Sequence, residues 1–474
     1  DVPPTLVSFA LAPADTRWVL SPEFKRAGSA VSLVRLPVDT DGLPDFEHLK
    51  SIADSLHRLN RNETITSLHH IGGIGIAGAV AKMAFGNRIG FTSAAVVGEH
   101  RDQPLDWMRP AWFSFLIEHD AQEATTIHRA LPDAIVIGHT TDAPVLVIGG
   151  STHALDTLLD AWESTLEPVY PTRPDAVAAP VDPPMATSAA PATRRIARIA
   201  RPRVVIPAFP GTNSEYDSAR AFERAGGDPS ILVFRNLTAT HIDESLAQLA
   251  DAIRESQILM IPGGFSAGDE PDGSAKFIAA VIRSPRVADA ITELVEHRDG
   301  LILGICNGFQ ALIKTGLVPD GRIRACGDNA VQARLAETPT LVHNTIGRHV
   351  SRYARTRIVS TLSPWLMLCR TGDIHTLPVS HGEGRFLANE ETLRQLAANG
   401  QIATQYCDAS GNPSVNIADN PNGSLGAVEG ITSPCGRIFG KMAHTERHGP
   451  HVAKNIHGSK HQPIFESGIA YFTD

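Results

Sequence analysis

The sequence lacks the features of a membrane protein and of a disulfide scaffold. No uninterrupted apolar run approaches the roughly 18 residues that span a bilayer, and the opening Asp-Val-Pro-Pro shows no basic segment followed by an apolar one. The five cysteines are spread over 474 residues without a Cys-x-x-Cys pair, which favours neither a disulfide framework nor a zinc site. We therefore expect a soluble cytoplasmic protein with no membrane partner and no bound metal.

Basic residues are also in short supply. Lysine and arginine total 42 against 51 aspartates and glutamates, and the formal charge is -9. This balance argues against a surface that grips phosphate backbones, so we expect no nucleic-acid partner. The length and a hydrophobic content of 42% indicate two or three packed domains. The chain begins at Asp1 without an initiator methionine, which leaves open that it is a piece of a longer protein.

A segment rich in proline and alanine divides the chain. Residues 171–192 contain six prolines and seven alanines with almost no large apolar residue, so no amphipathic period can form there. We interpret residues 171–200 as a linker between a first domain, residues 1–170, and a second domain, residues 201–474.

The first domain shows short apolar runs alternating with helical patterns. Runs at residues 6–10, 30–34 and 144–148 predict strands, and a glycine-rich turn enters a helix over residues 73–85. The pattern predicts a mixed α/β or α+β domain. The glycine-rich turn could cradle a phosphate at the helix N-terminus or simply allow helix and strand to pack closely.

The second domain has a regular alternation of strands and helices. It predicts right-handed crossovers and a mainly parallel sheet, with ligands at the carboxyl ends of the strands. Two polar, glycine-rich segments fall there, at residues 210–213 and 263–266. The predicted strands lie at residues 204–206, 231–234 and 258–261, and the predicted helices at residues 214–225 and 242–255.

An apolar run at residues 301–305 leads into Gly-x-Cys-x-Gly and then a helix. This is the pattern of a nucleophile elbow, in which the nucleophile, here Cys306, lies on a sharp turn. Gly304 and Gly308 allow neighbouring chain to pass without a Cβ clash. The start of a helix also favours the thiolate form through its partial positive charge. The pattern predicts Cys306 as a nucleophile.

A thiolate needs a general base and a group that orients it. His444 and Glu446 follow an apolar strand and, two residues apart in an extended segment, would point to the same side. His381 in His-Gly-Glu-Gly-Arg also follows a predicted strand. The residues alone do not choose between the two histidines. Backbone N–H groups of the loop at Gly263, Gly264 and Phe265 could converge on an oxyanion.

Six segments combine glycine and asparagine with these candidates. They are Pro-Gly-Thr-Asn at 210–213, Gly-Gly-Phe-Ser-x-Gly-Asp at 263–269, Gly-Ile-Cys-Asn-Gly-Phe-Gln at 304–310, Asn344 with Gly347 and Arg348, His-Gly-Glu-Gly-Arg at 381–385, and Asn-Pro-Asn-Gly-Ser at 420–424. In this order they closely resemble the class I glutamine amidotransferase domain of the phosphoribosylformylglycinamidine synthase family, across about residues 201–474.

The resemblance implies a flavodoxin-like α/β domain and a Cys-His-Glu triad of Cys306, His444 and Glu446. It places Asn307, Gln310 and His381 beside the site and makes Gln310 a candidate glutamine contact. It implies hydrolysis of glutamine through a thioester, without a cofactor in this domain. The ammonia would pass internally to an N-terminal half that uses ATP and Mg²⁺ to convert formylglycinamide ribonucleotide to the amidine in purine biosynthesis.

One motif departs from the family. The family usually has Met-Pro-His-Pro-Glu-Arg, and this chain has Ala443 and Thr445 in place of the two prolines. Each lost proline removes a fixed φ beside His444, so we expect a looser loop with activity retained.

Residues 1–170 resemble the C-terminal domain of the aminoimidazole ribonucleotide synthetase family, on Met-Ala-Phe at 83–85 and Ala-Trp-Glu-Ser-Thr at 161–165. His70, Gly73, Ile74 and Lys82 stand where that family commonly has aspartates, a glycine pair and a glutamate, so no metal or nucleotide ligand is assigned here. The chain thus resembles the C-terminal portion of the long synthase. Two alternatives stay open, an amidotransferase serving another synthetase and a noncatalytic docking portion of the synthase.

Overall fold

The computed structural model describes residues 5–94, 105–172, 174, 198–265, 275–324 and 338–473. The chain divides into two compact units, Asp1–Thr172 and Arg173–Asp474. Most of the predicted linker, residues 171–200, lies outside the described residues, and so do residues 266–269 of the glycine-rich loop.

The first unit is an α+β domain, as predicted. In its described part, seven strands form one sheet in the order β2-β4-β1-β5-β3-β6-β7, antiparallel except for the β3–β6 pair. The elements are β1 (Ala30–Val34), α1 (Phe46–Arg61), β2 (Ile65–Gly72), α2 (Gly75–Phe85), β3 (Gly90–Ser93), β4 (Ala111–His119), α3 (Ala124–Ala130), β5 (Ile135–Thr141), β6 (Val145–Ile148), β7 (Ser151–Ala154) and α4 (Leu155–Ser164).

Both faces of this sheet are covered. Leu33 and Val34 are consecutive in β1 and therefore point to opposite faces, and each belongs to a different apolar cluster. Residues of α2 and α4 join the cluster of Leu33, whereas residues of α1 and α3 join that of Val34.

The prediction of a strand at residues 6–10 is wrong. Leu6 and Phe9 are 96% and 89% exposed, and the segment pairs with no strand of the described residues. An apolar run becomes a strand only where a neighbour completes its ladder of hydrogen bonds, and that information is not local.

The second unit contains the remaining elements. They are β8 (Arg203–Ala208), α5 (Glu215–Arg224), β9 (Asp228–Val233), α6 (Ala239–Glu255), β10 (Ile258–Ile261), α7 (Lys276–Arg283), α8 (Pro285–Thr292), β11 (Leu301–Ile305), α9 (Asn307–Thr315), α10 (Leu317–Asp320), β12 (Thr340–Val342), β13 (Val350–Ile358), β14 (Ile374–His381), β15 (Arg385–Leu387), α11 (Glu390–Ala398), β16 (Ile402–Tyr406), β17 (Val428–Thr432), β18 (Ile438–Lys441) and α12 (Ile464–Thr473).

Nine strands of the described residues form the main sheet of this unit, in the order β14-β13-β16-β17-β18-β11-β10-β8-β9. The α/β class is as predicted, but the sheet is mixed. The five strands from β18 to β9 run parallel, whereas the pairs from β18 to β14 are antiparallel. The prediction of a mainly parallel sheet therefore describes one half of it.

Parallel neighbours bring four loops to one edge of the sheet. The carboxyl ends of β8, β10, β11 and β18 are adjacent, and the segments after them carry the glycine-rich loops, Cys306 and His444. Every residue of β10, β11 and β18 is buried, so three of these loops follow fully buried strands.

Candidate active site

Cys306 lies on a strained turn between β11 and α9. Its φ of +54° and ψ of -105° are unusual for a residue with a side chain. The two flanking glycines are required by close contacts. A Cβ on Gly308 would lie 2.0 Å from the carbonyl oxygen of Ile261, and one on Gly304 would lie 2.6 Å from Leu312 Cδ1. The turn has the geometry expected of a nucleophile elbow.

His444 and Glu446 are joined by a short hydrogen bond in the loop after β18. His444 Nδ1 lies 2.6 Å from Glu446 Oε1, and both side chains are buried. The prediction that the two residues lie in an extended segment is wrong. Thr445–Arg447 forms a single 3₁₀ turn that follows His444 and brings the two side chains together.

The charges of His444 and Glu446 stabilise each other. Burial alone would lower the pKa of His444, but Glu446 and Cys306 outweigh burial and raise that pKa to about 9. Burial would raise the pKa of Glu446, and His444 with Arg447 reverses this and lowers it. At neutral pH the loop therefore holds an imidazolium bonded to a carboxylate.

The His444 ring has one unbonded nitrogen and lies near the nucleophile. Among the described residues, Nε2 of His444 has no hydrogen-bond partner of good geometry, yet the Cys306 thiol is near enough to raise the pKa of the ring. The thiol itself lies 3.6 Å from the carbonyl oxygen of Ser380. Catalytic hydrogen bonds are often loose before substrate binds.

The predicted oxyanion loop lies against His444. A Cβ on Gly263 would lie 2.7 Å from His444 Cε1, and one on Gly264 would lie 2.5 Å from the carbonyl oxygen of Gly211. Both glycines are thus needed for the close approach. Phe265 differs, because its N–H donates to the Gly211 oxygen at 2.8 Å and so ties the loop down.

Asn307 and Gln310 are bonded to each other at the start of α9. Asn307 Nδ2 donates to Gln310 Oε1 at 2.8 Å, and Gln310 Nε2 donates to the carbonyl oxygen of Glu383 at 2.6 Å. Both side chains are buried. In this structure the amide of Gln310 bridges the elbow helix to the segment after β14, and a direct contact with glutamine stays a prediction.

His381 is buried near His444 but is bonded to an amide. Its Nδ1 lies 3.2 Å from Asn344 Oδ1. Burial, together with His444 and His349, lowers the pKa of His381 to about 3, so the ring is neutral. The geometry therefore favours His444, with its carboxylate, as the base. Asn344 also accepts from the Gly384 N–H and donates to the His381 carbonyl oxygen, which makes it the anchor of this segment.

Comparison with known proteins identifies the family of the second unit. The family model of the CobB/CobQ-like glutamine amidotransferase domain matches residues 201–472, which is more than half of the chain. The chain belongs to this family.

Curated relatives of the amidotransferase are identical to it at about a third of the aligned residues. One is phosphoribosylformylglycinamidine synthase subunit PurQ of Rhodopseudomonas palustris (strain BisB18), with 34% identity over 51% of this chain and 86% of the relative. Another is the subunit of the same name from Symbiobacterium thermophilum, with 31% identity over 56% of this chain and 94% of the relative. A solved structure, PurLQS from Thermotoga maritima, has 24% identity and a TM-score of 0.40 over 57% of this chain and 99% of that chain.

Two buried charges of the amidotransferase were missed by sequence reasoning. Lys441 and Glu429 are fully buried, with Nζ 3.5 Å from Oε1. The signal was a single charge in each of two otherwise apolar strands, Val-Glu-Gly-Ile-Thr and Ile-Phe-Gly-Lys. Such charges are buried only when they are paired.

No metal centre or membrane span is found where the structure describes the chain. The described residues contain no group of three or more histidines, cysteines or carboxylates able to hold a metal, and no helix long and apolar enough to cross a bilayer. In the first unit, His70 accepts from the Phe113 N–H, and the Lys82 ammonium lies 4.1 Å from the centre of the Trp162 ring. The resemblance of residues 1–170 to the synthetase family stays a prediction.

Proposed function

We propose that residues 201–474 hydrolyse glutamine to glutamate and ammonia, with Cys306 as nucleophile, His444 as general acid and base, and Glu446 as the group that orients it. The observation that carries this proposal is the geometry of the site, in which His444 Nδ1 lies 2.6 Å from Glu446 Oε1 and Cys306 lies on a strained elbow with a φ of +54°. A cysteine on a strained elbow beside an imidazolium is the arrangement needed for covalent catalysis by a thiolate.

In the first step, the Cys306 sulfur attacks the side-chain amide carbon of glutamine. A C–S bond forms, and the carbonyl π electrons move to oxygen. The backbone N–H groups of Gly264, after β10, and of Asn307, at the start of α9, are the candidates to stabilise this oxyanion. The N–H of Phe265 is a poorer candidate, since it already donates to Gly211.

In the second step, His444 gives its Nε2 proton to the amide nitrogen as the C–N bond breaks, and ammonia leaves. A γ-glutamyl thioester on Cys306 remains. His444, now neutral, takes a proton from a water molecule that attacks the thioester carbon. The C–S bond breaks, glutamate leaves, and the thiolate and imidazolium are restored. Glu446 stabilises the imidazolium each time it forms.

The ammonia has a proposed destination. The relatives are named as subunits of phosphoribosylformylglycinamidine synthase, and on that basis we propose that this amidotransferase supplies ammonia for conversion of formylglycinamide ribonucleotide to formylglycinamidine ribonucleotide in purine biosynthesis. The partner is an ATP-binding half, which would use ATP and Mg²⁺ and release ADP and phosphate. The glutaminase chemistry itself uses only side chains and backbone of residues 201–474.

The test is ammonia release from glutamine by the full chain, alone and with an ATP-binding synthase half, ATP and formylglycinamide ribonucleotide. We expect Cys306→Ser to abolish release and Cys435→Ser, a cysteine outside the site, to keep it. Stimulation by formylglycinamide ribonucleotide supports the purine assignment. Stimulation only by another acceptor would assign the glutaminase to a different synthetase, and equal behaviour of Cys306→Ser and the parent would exclude Cys306 as nucleophile.

A further inference from the structure

The buried Lys441–Glu429 pair lies directly behind the loop that carries His444. Both side chains are 0% exposed, and burying two charges is costly unless their geometry and hydrogen bonds compensate. Neither residue belongs to the proposed triad. The bonds that they make indicate what the pair does.

The ammonium of Lys441 holds the chain on both sides of His444. Nζ donates to the carbonyl oxygen of Ala443 at 2.9 Å and to Oγ1 of Thr445 at 2.8 Å. Thr445 Oγ1 in turn donates to Oε1 of Gln462 at 2.9 Å. The two residues that flank His444 are thus fixed by one cation.

The carboxylate of Glu429 fixes the same loop from β17. Its Oε1 accepts the Ala443 N–H at 2.7 Å, and its Oε2 accepts the hydroxyl of Thr404. The backbone carbonyl of Glu429 accepts the Met442 N–H at 3.2 Å. Proline at position 443 would have no N–H for Glu429, and proline at position 445 no hydroxyl for Lys441.

Lys441 also reaches the nucleophile through its backbone. It pairs with Ile305 in the parallel ladder of β11 and β18, and its carbonyl oxygen accepts the Cys306 N–H at 2.8 Å. One residue therefore connects the strained turn at Cys306 with the loop around His444. Burial lowers the pKa of Lys441, and Glu429 and Glu446 act against that change.

We propose that Lys441 and Glu429 are positioning residues that fix the backbone on both sides of His444 and so keep its ring beside Cys306. The side chains of the pair touch no reacting atom and act on the loop through Ala443 and Thr445. This inference rests on the proposed glutaminase function. It explains how the loop is held although residues 443 and 445 are not prolines.

Two sets of variants separate positioning from folding. Thr445→Val removes only the hydroxyl that Lys441 contacts, and Thr445→Ser restores it. Lys441→Met combined with Glu429→Gln removes both charges at once, so that neither is left buried without a partner. Circular dichroism and thermal unfolding of the full chain establish which variants fold.

The readout is the rate at which an electrophilic glutamine analogue, 6-diazo-5-oxo-norleucine, labels Cys306. Its dependence on analogue concentration gives a maximal rate and a half-saturating concentration. We expect Thr445→Val and the paired variant to lower the maximal rate about 10- to 100-fold, because a small displacement of the base is costly. The half-saturating concentration should change less than about twofold, since the pocket is intact. Thr445→Ser should recover most of the maximal rate.

Variants that fold and are labelled at the maximal rate of the parent would overturn this inference but not the proposed function. So would a rise of the half-saturating concentration in place of a lower maximal rate, because that result means a damaged pocket. If the paired variant does not fold, the comparison of Thr445→Val with Thr445→Ser decides. Absence of labelling in the parent chain would overturn the proposed function itself, and this inference with it.

Discussion

The His444 ring packs against the backbone of Gly263 so closely that a Cβ at residue 263 would lie 2.7 Å from its Cε1. The adjacent ring atom, Nδ1, lies 2.6 Å from Glu446 Oε1. The ring is therefore packed against a glycine and bonded to a carboxylate, and Cys306 is near enough to raise its pKa.

Gly263→Ala should impair catalysis by pushing the His444 ring aside. We expect kcat/KM for glutamine to fall about 100-fold, the cost typical of a base displaced by about 1 Å. Gly449→Ala is the matched control, because the nearest atom to its new Cβ, Val452 Cγ2, is at 3.4 Å. Equal kcat/KM values for the two variants would contradict the close packing at Gly263.

Glu446→Gln should lower both the pKa of His444 and the rate. The charge of Glu446 is the largest single effect that raises this pKa to about 9, so its neutral isostere should let the ring lose its proton at a lower pH. We expect kcat to fall by about 100-fold or more, as when the carboxylate of a triad is neutralised. An NMR titration of His444 measures the pKa. Glu390→Gln, at an exposed position of α11, controls for the loss of charge. An unchanged titration in Glu446→Gln would refute the pairing.

Gly308→Ala should destabilise the second unit although it lies in a helix. Replacing glycine by alanine inside a helix ordinarily adds about 1 kcal/mol of stability. Here the new Cβ would lie 2.0 Å from the backbone oxygen of Ile261, so β10 or α9 must move. We expect the free energy of unfolding to fall by about 1–3 kcal/mol, measured by urea denaturation. A gain in stability would mean that β10 and α9 are not in close contact.

His375 should make the protein less stable in acid. Burial, with a contribution from Lys441, lowers its pKa to about 4 from an ordinary value of 6.5. A depressed folded-state pKa means that the unfolded chain binds a proton that the folded chain refuses. Stability from this residue is therefore complete above pH 6.5 and is lost as the pH falls towards 4, by up to about 1.4 kcal/mol per pH unit.

The His375→Gln variant removes this titrating group. Urea unfolding at pH 7 and pH 5 should show a smaller loss of stability in the variant than in the parent. His381, whose pKa is lowered to about 3, remains in both proteins and contributes equally. The same pH dependence in the two proteins would show that His375 does not titrate as described.

Local patterns predicted the features that depend on adjacent residues. The elbow at Cys306 could be predicted from the pattern of its two glycines. Gly304 contacts residues of the same segment, but Gly308 contacts Ile261 of β10. His444 and Glu446 were paired correctly but for an incorrect reason. Their side chains meet through a 3₁₀ turn, and the His444 N–H at the start of this turn donates to Pro378 of β14 at 2.8 Å.

Features that depend on strand pairing were not predictable. Lys441 and Glu429 meet because β17 and β18 are neighbours in the sheet, and no local pattern gives that pairing. Gln310 is bonded to residue 383, so its role as a bridge appears only in the fold. The antiparallel half of the main sheet escaped prediction for the same reason, since the order of strands is set by distant residues.

The most direct test of the account is the intact mass of the chain after incubation with an electrophilic glutamine analogue. If Cys306 is the nucleophile, we expect one adduct, which peptide sequencing maps to Cys306 and which is absent from Cys306→Ala. Formation of this adduct requires both a formed glutamine pocket and a reactive thiol. An adduct that persists in Cys306→Ala, or its absence from the parent chain supplied with an ATP-binding synthase half, would contradict the assignment of Cys306 as the glutaminase nucleophile.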